Sequence, residues 1–107
     1  MGIQVQAPIA VTSGGFTQIT AKAFSRYTEI QEDGSGPPAG IIVLWPNGNT
    51  TQYTVSQQPI RIGNPGGGAG PFVGVPPGGT SPNATATLYC SIKSVGASSK
   101  IQVSETN

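Results

Sequence analysis

The sequence contains no histidine, a single cysteine and few charged residues. Of its 107 residues, five are Lys or Arg and four are Asp or Glu, so the formal net charge is +1 at pH 7. Without histidine the chain cannot build a Ser-His-Asp or Cys-His catalytic centre or a histidine-ligated zinc site. Because Cys90 is the only cysteine, an intrachain disulfide and a four-cysteine metal site are also excluded. We therefore expect a protein that is not an enzyme and that binds no cofactor or metal.

Long apolar runs and basic clusters are also missing. No apolar stretch approaches the roughly 20 residues of a membrane-spanning helix, and the near-neutral charge gives no electrostatic footprint for nucleic acid. The first residues lack the charged and apolar segments of a signal peptide. We expect neither nucleic acid nor a membrane as a partner. Because secreted domains of this size often carry disulfides, the lone thiol favours an intracellular or assembly origin.

Apolar residues alternate with polar ones, which is the period of a β-strand. The 16 Gly and 10 Pro residues argue against long helices. We predict an all-β fold in one domain, residues 1–107, either a β-sandwich or a small jelly roll of about seven to nine short strands. The predicted strands lie within residues 3–11, 16–22, 24–32, 40–45, 50–55, 59–63, 84–95 and 100–105, and a further short strand is predicted at 72–75. The segments 33–39 and 64–83 are predicted loops, the second long and rich in Gly and Pro.

The alternation also predicts which side chains share a face. The first set is Ile3, Val5, Ala7, Ile9 and Val11 on a buried face. The others are Phe24, Thr28 and Ile30 on one face, Leu88, Cys90 and Ile92 on one face, and Ile101 and Val103 on an inward face. Tyr89 is predicted on the face opposite Cys90, and a bend is predicted at Pro8. Segment 40–45 is apolar on both faces, so it is either central or covered by a partner on its second face.

Two polar segments invite a chemical interpretation. Glu29, Glu32 and Asp33 are the only clustered carboxylates and could act as an acid/base pair or bind calcium. A solvated strand end is the favoured interpretation. The glycine run at 66–70 lacks the Lys and the following helix of a phosphate-binding loop, so a flexible loop is favoured there.

The aromatic residues and the thiol complete the candidates. An aromatic platform for sugar could be built from Tyr27, Trp45, Tyr53, Phe72 and Tyr89. Packing in the core or at an interface is the favoured role for these rings. For Cys90, with no basic neighbour on its face, a buried structural role is favoured.

Five segments carry a resemblance to a known class of proteins. They are YTEIQEDG at 27–34, PPAG at 37–40, WPNG at 45–48, QQPIRIG at 57–63 and PPGGTSP at 76–82. Together they resemble small virion proteins of tailed bacteriophages, in particular capsid cement or decoration proteins of about this length. The similarity covers roughly residues 16 to 105 and contains no catalytic signature. It implies a compact β-fold, often a jelly roll, that clamps neighbouring capsid subunits from outside, with no functional residue to carry over.

The resemblance implies a virion location on the capsid surface, with the major capsid protein as partner and a homo-dimer or homo-trimer on the shell. The contacting arms are predicted at 33–40 and 64–83. Candidate interface residues are Ile42, Leu44, Trp45, Arg61, Phe72, Val73, Pro76 and Pro77. The alternatives are a carbohydrate-binding or receptor-binding β-sandwich module and a structural protein of the neck, tail or fibre.

Overall fold

In the computed structural model the chain is described at residues 2–33, 40–54, 57–70, 72–75, 88–96 and 98–107. Over these residues it forms nine β-strands and no helix. The strands are β1 (Ile3–Val5), β2 (Ile9–Val11), β3 (Thr17–Thr20), β4 (Tyr27–Glu32), β5 (Ile41–Leu44), β6 (Thr50–Tyr53), β7 (Ile60–Gly63), β8 (Leu88–Ser94) and β9 (Ser99–Thr106). Most of loop 33–40, parts of loop 64–83 including Pro76 and Pro77, and the start of the predicted strand 84–95 lie outside the described residues.

Two antiparallel sheets pack against each other as a β-sandwich, which confirms the predicted all-β class. In the first sheet the strands follow the order β1-β9-β4-β7, and β2 also pairs with β9. The second sheet has the order β3-β8-β5-β6. The C-terminal strand β9 is therefore central, with β1 and β2 along one side and β4 along the other.

The core consists of inward side chains from both sheets and from the segment 72–75. These buried residues are Val11, Ile19, Ile30, Ile41, Val43, Trp45, Ile60, Ile62, Phe72, Tyr89, Cys90, Ile92, Ile101 and Val103. The Phe72 and Tyr89 rings pack with their centroids 5.1 Å apart. Residues 72–75 form no strand, contrary to expectation, but Phe72 and Val73 are buried. This segment contributes Phe72 and Val73 to the interior and contacts β8 through the Phe72 and Tyr89 rings.

A bulge separates β1 from β2 and corrects the predicted faces. Val5 pairs with Ser104 and Ile9 with Ile101, so the three residues 6–8 lie opposite the two residues 102–103 of β9. Because side chains alternate with a period of two, one extra residue moves the preceding strand onto the other face. Ile3 and Val5 are consequently 68% and 57% exposed instead of buried, and Ala7 within the bulge is exposed as well.

A second bulge lies in β8 and explains why the prediction for Tyr89 was wrong. Ile19 pairs with Cys90 and Thr20 with Leu88, which leaves Tyr89 without a partner in β3. At such a bulge two successive side chains can occupy the same side of the sheet. Tyr89 and Cys90 are accordingly both enclosed, with 0% and 1% of their surface exposed.

Phe24 differs from expectation as well. It does not share the buried face of Thr28 and Ile30, because β4 begins only at Tyr27. Its ring is 66% exposed, in the connection that precedes the strand.

The close approach of residues 72–75 to the β8 bulge predicts the effect of a side chain at Gly74. The Gly74 amide donates to the Leu88 carbonyl at 3.0 Å, and a Cβ at this position would overlap the Tyr89 carbonyl group. Gly74→Ala should lower the free energy of unfolding by about 1–3 kcal/mol, since the backbone must shift to make room. Urea unfolding measures this loss.

Gly68→Ala is the matched control, because no heavy atom lies within 4 Å of its added Cβ. Its free energy of unfolding should change little. Equal losses in the two variants would contradict the packing described for Gly74.

Candidate functional site

The most elaborate polar cluster surrounds the carboxylate of Glu105, which is only 2% exposed. The Tyr89 hydroxyl donates to it at 2.6 Å and the Gln6 side-chain amide at 2.9 Å. The backbone amides of Lys22 and Ala23 each donate at 3.1 Å to Oε2. These donors come from β8, from the bulge before β2 and from the β3–β4 connection, so one carboxylate joins three separate segments to β9.

The pKa of the Glu105 carboxyl follows from this geometry. Burial raises it, because a charge is costly away from water, but the converging hydrogen bonds favour the ionised form and leave the pKa below its ordinary value. Burial and the bond to Glu105 raise the pKa of Tyr89 to about 12. The pair is thus a carboxylate and a neutral phenol at neutral pH.

The Tyr89 hydroxyl extends the cluster into the first sheet. Ser25 Oγ lies 3.2 Å from it and 3.0 Å from Thr28 Oγ1, and both Ser25 and Thr28 are fully buried. Every hydroxyl in this chain of contacts has a partner, as buried polar groups require. The cluster is satisfied internally and therefore suits a structural role better than proton transfer to a substrate.

Two cavities adjoin Glu105. A cleft of about 570 Å³ lies between the β1–β2 edge and β3, and its polar lining includes Gln4, Gln18 and Lys22. A second cavity of about 320 Å³ lies at the end of the first sheet, beside Ile3, Phe24 and Asn107. Both are lined in part by Gln4 and Glu105, so the inner side of β1 faces open space.

The predicted carboxylate cluster at 29–33 does not form one site. Glu29 lies opposite Arg61 in the strand register. Glu32 is 4% exposed and accepts from Ser99 Oγ at 2.8 Å. The solvated interpretation is therefore wrong for Glu32. Every second side chain of β4 points inward, and Glu32 shares the inner face with Thr28 and Ile30. Among the described residues no group of three potential metal-ligating side chains comes together.

The glycine run belongs to a turn organised by Asn64. Asn64 Oδ1 accepts from the Gly66 amide at 2.9 Å, and Nδ2 donates to the carbonyls of Ser25 and Gly70. The Gly67 amide donates to the Asn64 carbonyl at 2.9 Å. Two of the amides that a phosphate-binding loop would offer are thus used within the turn.

The predicted interface residues fall into two groups. Trp45, Phe72 and Val73 are buried in this chain, with 1%, 8% and 6% of their surface exposed, so the core occupies their side chains. Trp45 also donates from Nε1 to Thr51 Oγ1 at 2.9 Å. The aromatic platform proposed from the sequence is not assembled by the described residues, since three of its five rings are internal.

The other interface candidates lie on outer faces. Arg61 is exposed and stacks its guanidinium 3.6 Å from the centre of the Tyr27 ring. Ile42 and Leu44 are half-buried and point away from the core, since Ile41 and Val43 point into it. Pro76 and Pro77 are outside the described residues.

Ile42 and Leu44 belong to an apolar area that we call the second-sheet outer face, formed by Phe16, Ile42, Leu44 and Val95. Phe16 and Val95 are 40% and 43% exposed. The register puts Ile42 beside Lys93, whose Nζ lies 4.9 Å from the Phe16 ring centre. The second side of this doubly apolar strand therefore lacks a full cover from the described residues.

The thiol behaves as the sequence indicated. Cys90 is buried, and burial raises its pKa to about 12. It is a packed core residue and a poor nucleophile.

Comparison with protein-family models, with curated proteins and with solved structures finds no match for this chain. Within the described ranges no helix is long and apolar enough to cross a membrane. Sequence reasoning missed the Glu105 cluster, although alternation puts Glu105 on the same face as Ile101 and Val103. The signal in the sequence was that the alternation of β9 places a carboxylate at an inward position, where it needs hydrogen-bond donors.

The Tyr89 hydroxyl should contribute measurably to the free energy of unfolding. Tyr89→Phe keeps the ring but removes one donor from a buried carboxylate, so the free energy of unfolding should fall by about 1–3 kcal/mol. Tyr53→Phe is the matched control, because Tyr53 is half-buried and its hydroxyl has no hydrogen bond to the described residues. Urea unfolding of both variants checks this, and an equal loss in the two would contradict the role given to Tyr89.

The lowered pKa of Glu105 predicts a loss of stability in acid. Because the folded state favours the ionised carboxylate, its contribution is present above the unfolded pKa and is lost as pH falls through the folded pKa. We expect the stability difference between the native chain and Glu105→Gln to shrink as pH is lowered from neutral to about 3. A difference independent of pH, from urea unfolding at each pH, would contradict an ionised Glu105.

Proposed function

We propose that the protein is a virion structural protein of the capsid cement or decoration type. In this role it binds the outer surface of a phage head and links neighbouring major capsid subunits, without catalysis. The sandwich fold agrees with the resemblance in the sequence, and the described carboxylates Glu32 and Glu105 are engaged inside the fold. Both observations favour a protein that acts by binding other proteins.

The second-sheet outer face is the observation that carries the proposal. An antiparallel sheet commonly presents polar side chains to water on its outer side, whereas this face carries half-buried Ile42 and Leu44 together with exposed Phe16 and Val95. Gln52 and Lys93 lie on either side of Ile42 in the register, so this face mixes apolar and polar side chains, as contact surfaces between proteins do. We assign this face to the capsid.

The low charge suits a repeated contact on a protein lattice. With only five Lys and Arg residues, little side-chain entropy is lost when the surface is covered. Each copy can bind weakly on its own, and self-association into a dimer or trimer at a symmetry axis would add avidity.

A carbohydrate-binding module receives less support. The sequence suggested this function through an aromatic platform that included Trp45. The Trp45 side chain is only 1% exposed, and its indole N–H already donates to Thr51. A role in the neck, tail or fibre shares the same contact chemistry and differs from the cement role in copy number.

Cosedimentation with empty capsids of the parent virus tests the proposal. We expect saturable binding with a stoichiometry that divides the icosahedral copy number. A variant carrying both Ile42→Gln and Leu44→Gln should bind about tenfold more weakly or worse, since a loss of about 1.4 kcal/mol has that effect.

The matched control carries Ile3→Gln and Val5→Gln, which makes the same kind of change on the outer face of the first sheet. It should bind like the native chain. Equal weakening in both variants would contradict the assigned face. Six or twelve copies per particle would point to the neck, tail or fibre, and no association with any particle would overturn the proposal.

A further inference from the structure

Strand β1 is attached to the sandwich mainly by its backbone. It pairs with β9 through only three residue pairs, Ile3 with Thr106, Gln4 with Glu105 and Val5 with Ser104. All three β1 residues are exposed. Because none of them is buried in the core, β1 gains little stability from apolar packing.

The space beneath β1 explains this weak attachment. The cavities of about 570 and 320 Å³ both border Gln4, so the inward side of the strand rests on open space. The links beyond the strand itself are few among the described residues. The Gln6 side-chain amide donates to Glu105 at 2.9 Å and to the Thr20 carbonyl at 3.0 Å, and the Gln6 backbone amide donates to the Val103 carbonyl at 2.9 Å. The remaining links are the mutual bonds of Gly2 with Asn107.

The chain between β1 and β2 has the properties of a hinge. Residues 6–8 contain the extra residue of the bulge and include Pro8, which has no N–H to give to a ladder. By contrast β2 is fixed, since Val11 is fully buried and pairs with Ser99. A change of backbone angles at Ala7 and Pro8 would swing β1 outward together with Gln6 and leave β2 in place.

We propose that β1 exchanges between two copies of this chain, each copy laying its N-terminal strand along β9 of the other. The incoming strand has the sequence that already fits the site, with Gln4 opposite Glu105 and the following Gln6 amide donating to the Glu105 carboxylate. A second copy therefore restores every bond that the departing strand gives up. Only the hinge differs between the two forms, so protein concentration selects between them.

Reciprocal exchange gives a closed dimer with a twofold axis. Its interface is formed by Ser104–Thr106 of one copy and Ile3–Val5 of the other, which are not residues of the second-sheet outer face. The exchange is thus independent of the capsid contact and leaves that surface available in both copies.

Disulfide trapping tests the exchange. One chain carries Val5→Cys and a second, distinguishable by a mass tag, carries Ser104→Cys. Facing residues of paired strands lie within the separation that a disulfide spans, and the buried Cys90 does not compete. Mixing and oxidising the two chains should give a covalent heterodimer whose yield rises with protein concentration.

A chain with Thr50→Cys replaces the Ser104→Cys chain in the control, because Thr50 is exposed on the other sheet. Trapping no more efficient than this control would overturn the proposal. As a second measurement, sedimentation of the native chain should reveal a concentration-dependent doubling of the mass of 10.8 kDa. A double variant, Val5→Cys with Ser104→Cys, closed within one chain by oxidation in dilute solution, should stay monomeric. A native chain that stays monomeric at high concentration, or a closed variant that dimerises equally, would also overturn it.

Discussion

The buried carboxylate of Glu105 is the constraint on which the polar interior depends. An ionised group that is 2% exposed must recover its lost hydration from hydrogen bonds. Its donors come from Gln6, from the backbone at Lys22 and Ala23, and from Tyr89. The bulge before β2, the path of the β3–β4 connection and the inward turn of Tyr89 are each needed to bring a donor to it. These three irregular features are far apart in the sequence, but each of them supplies a hydrogen bond to the Glu105 carboxylate.

The sequence predicted the fold class and most strands because polar and apolar residues alternate so regularly. The inward positions of Ile101, Val103, Cys90 and Ile92 were correct for the same reason. The errors at Val5 and Tyr89 came from bulges. One inserted residue reverses which side chains face the core, and the amino-acid sequence does not show where the insertion lies. Phe24 was misassigned because the strand starts later than the pattern indicated.

The Glu105 cluster could be foreseen only in part. Alternation places this carboxylate inside, but its donors are separated from it by 16 residues at Tyr89 and by 82 to 99 residues at Ala23, Lys22 and Gln6, and nothing local pairs them. The contrast between interior and surface then bears on the proposed function, because buried polar groups have partners inside the fold while Ile42 and Leu44 on the outer face of the second sheet lack a full cover from the described residues. The partly uncovered apolar face of the second sheet and the weakly attached strand β1 are the features on which the proposed role in assembly rests.

Native-state amide hydrogen exchange tests this description most directly, because it reports the opening free energy of each segment. The amides of Lys22 and Ala23 lie in a connection outside any strand, yet they should be protected nearly as well as those of central β9, since both donate to Glu105. The amides of β1 should exchange through a local opening at much lower cost. Exchange of Lys22 and Ala23 at the rate of an open loop, or protection of β1 equal to that of β9, would contradict the central role of Glu105 and the weak attachment of the N-terminal strand.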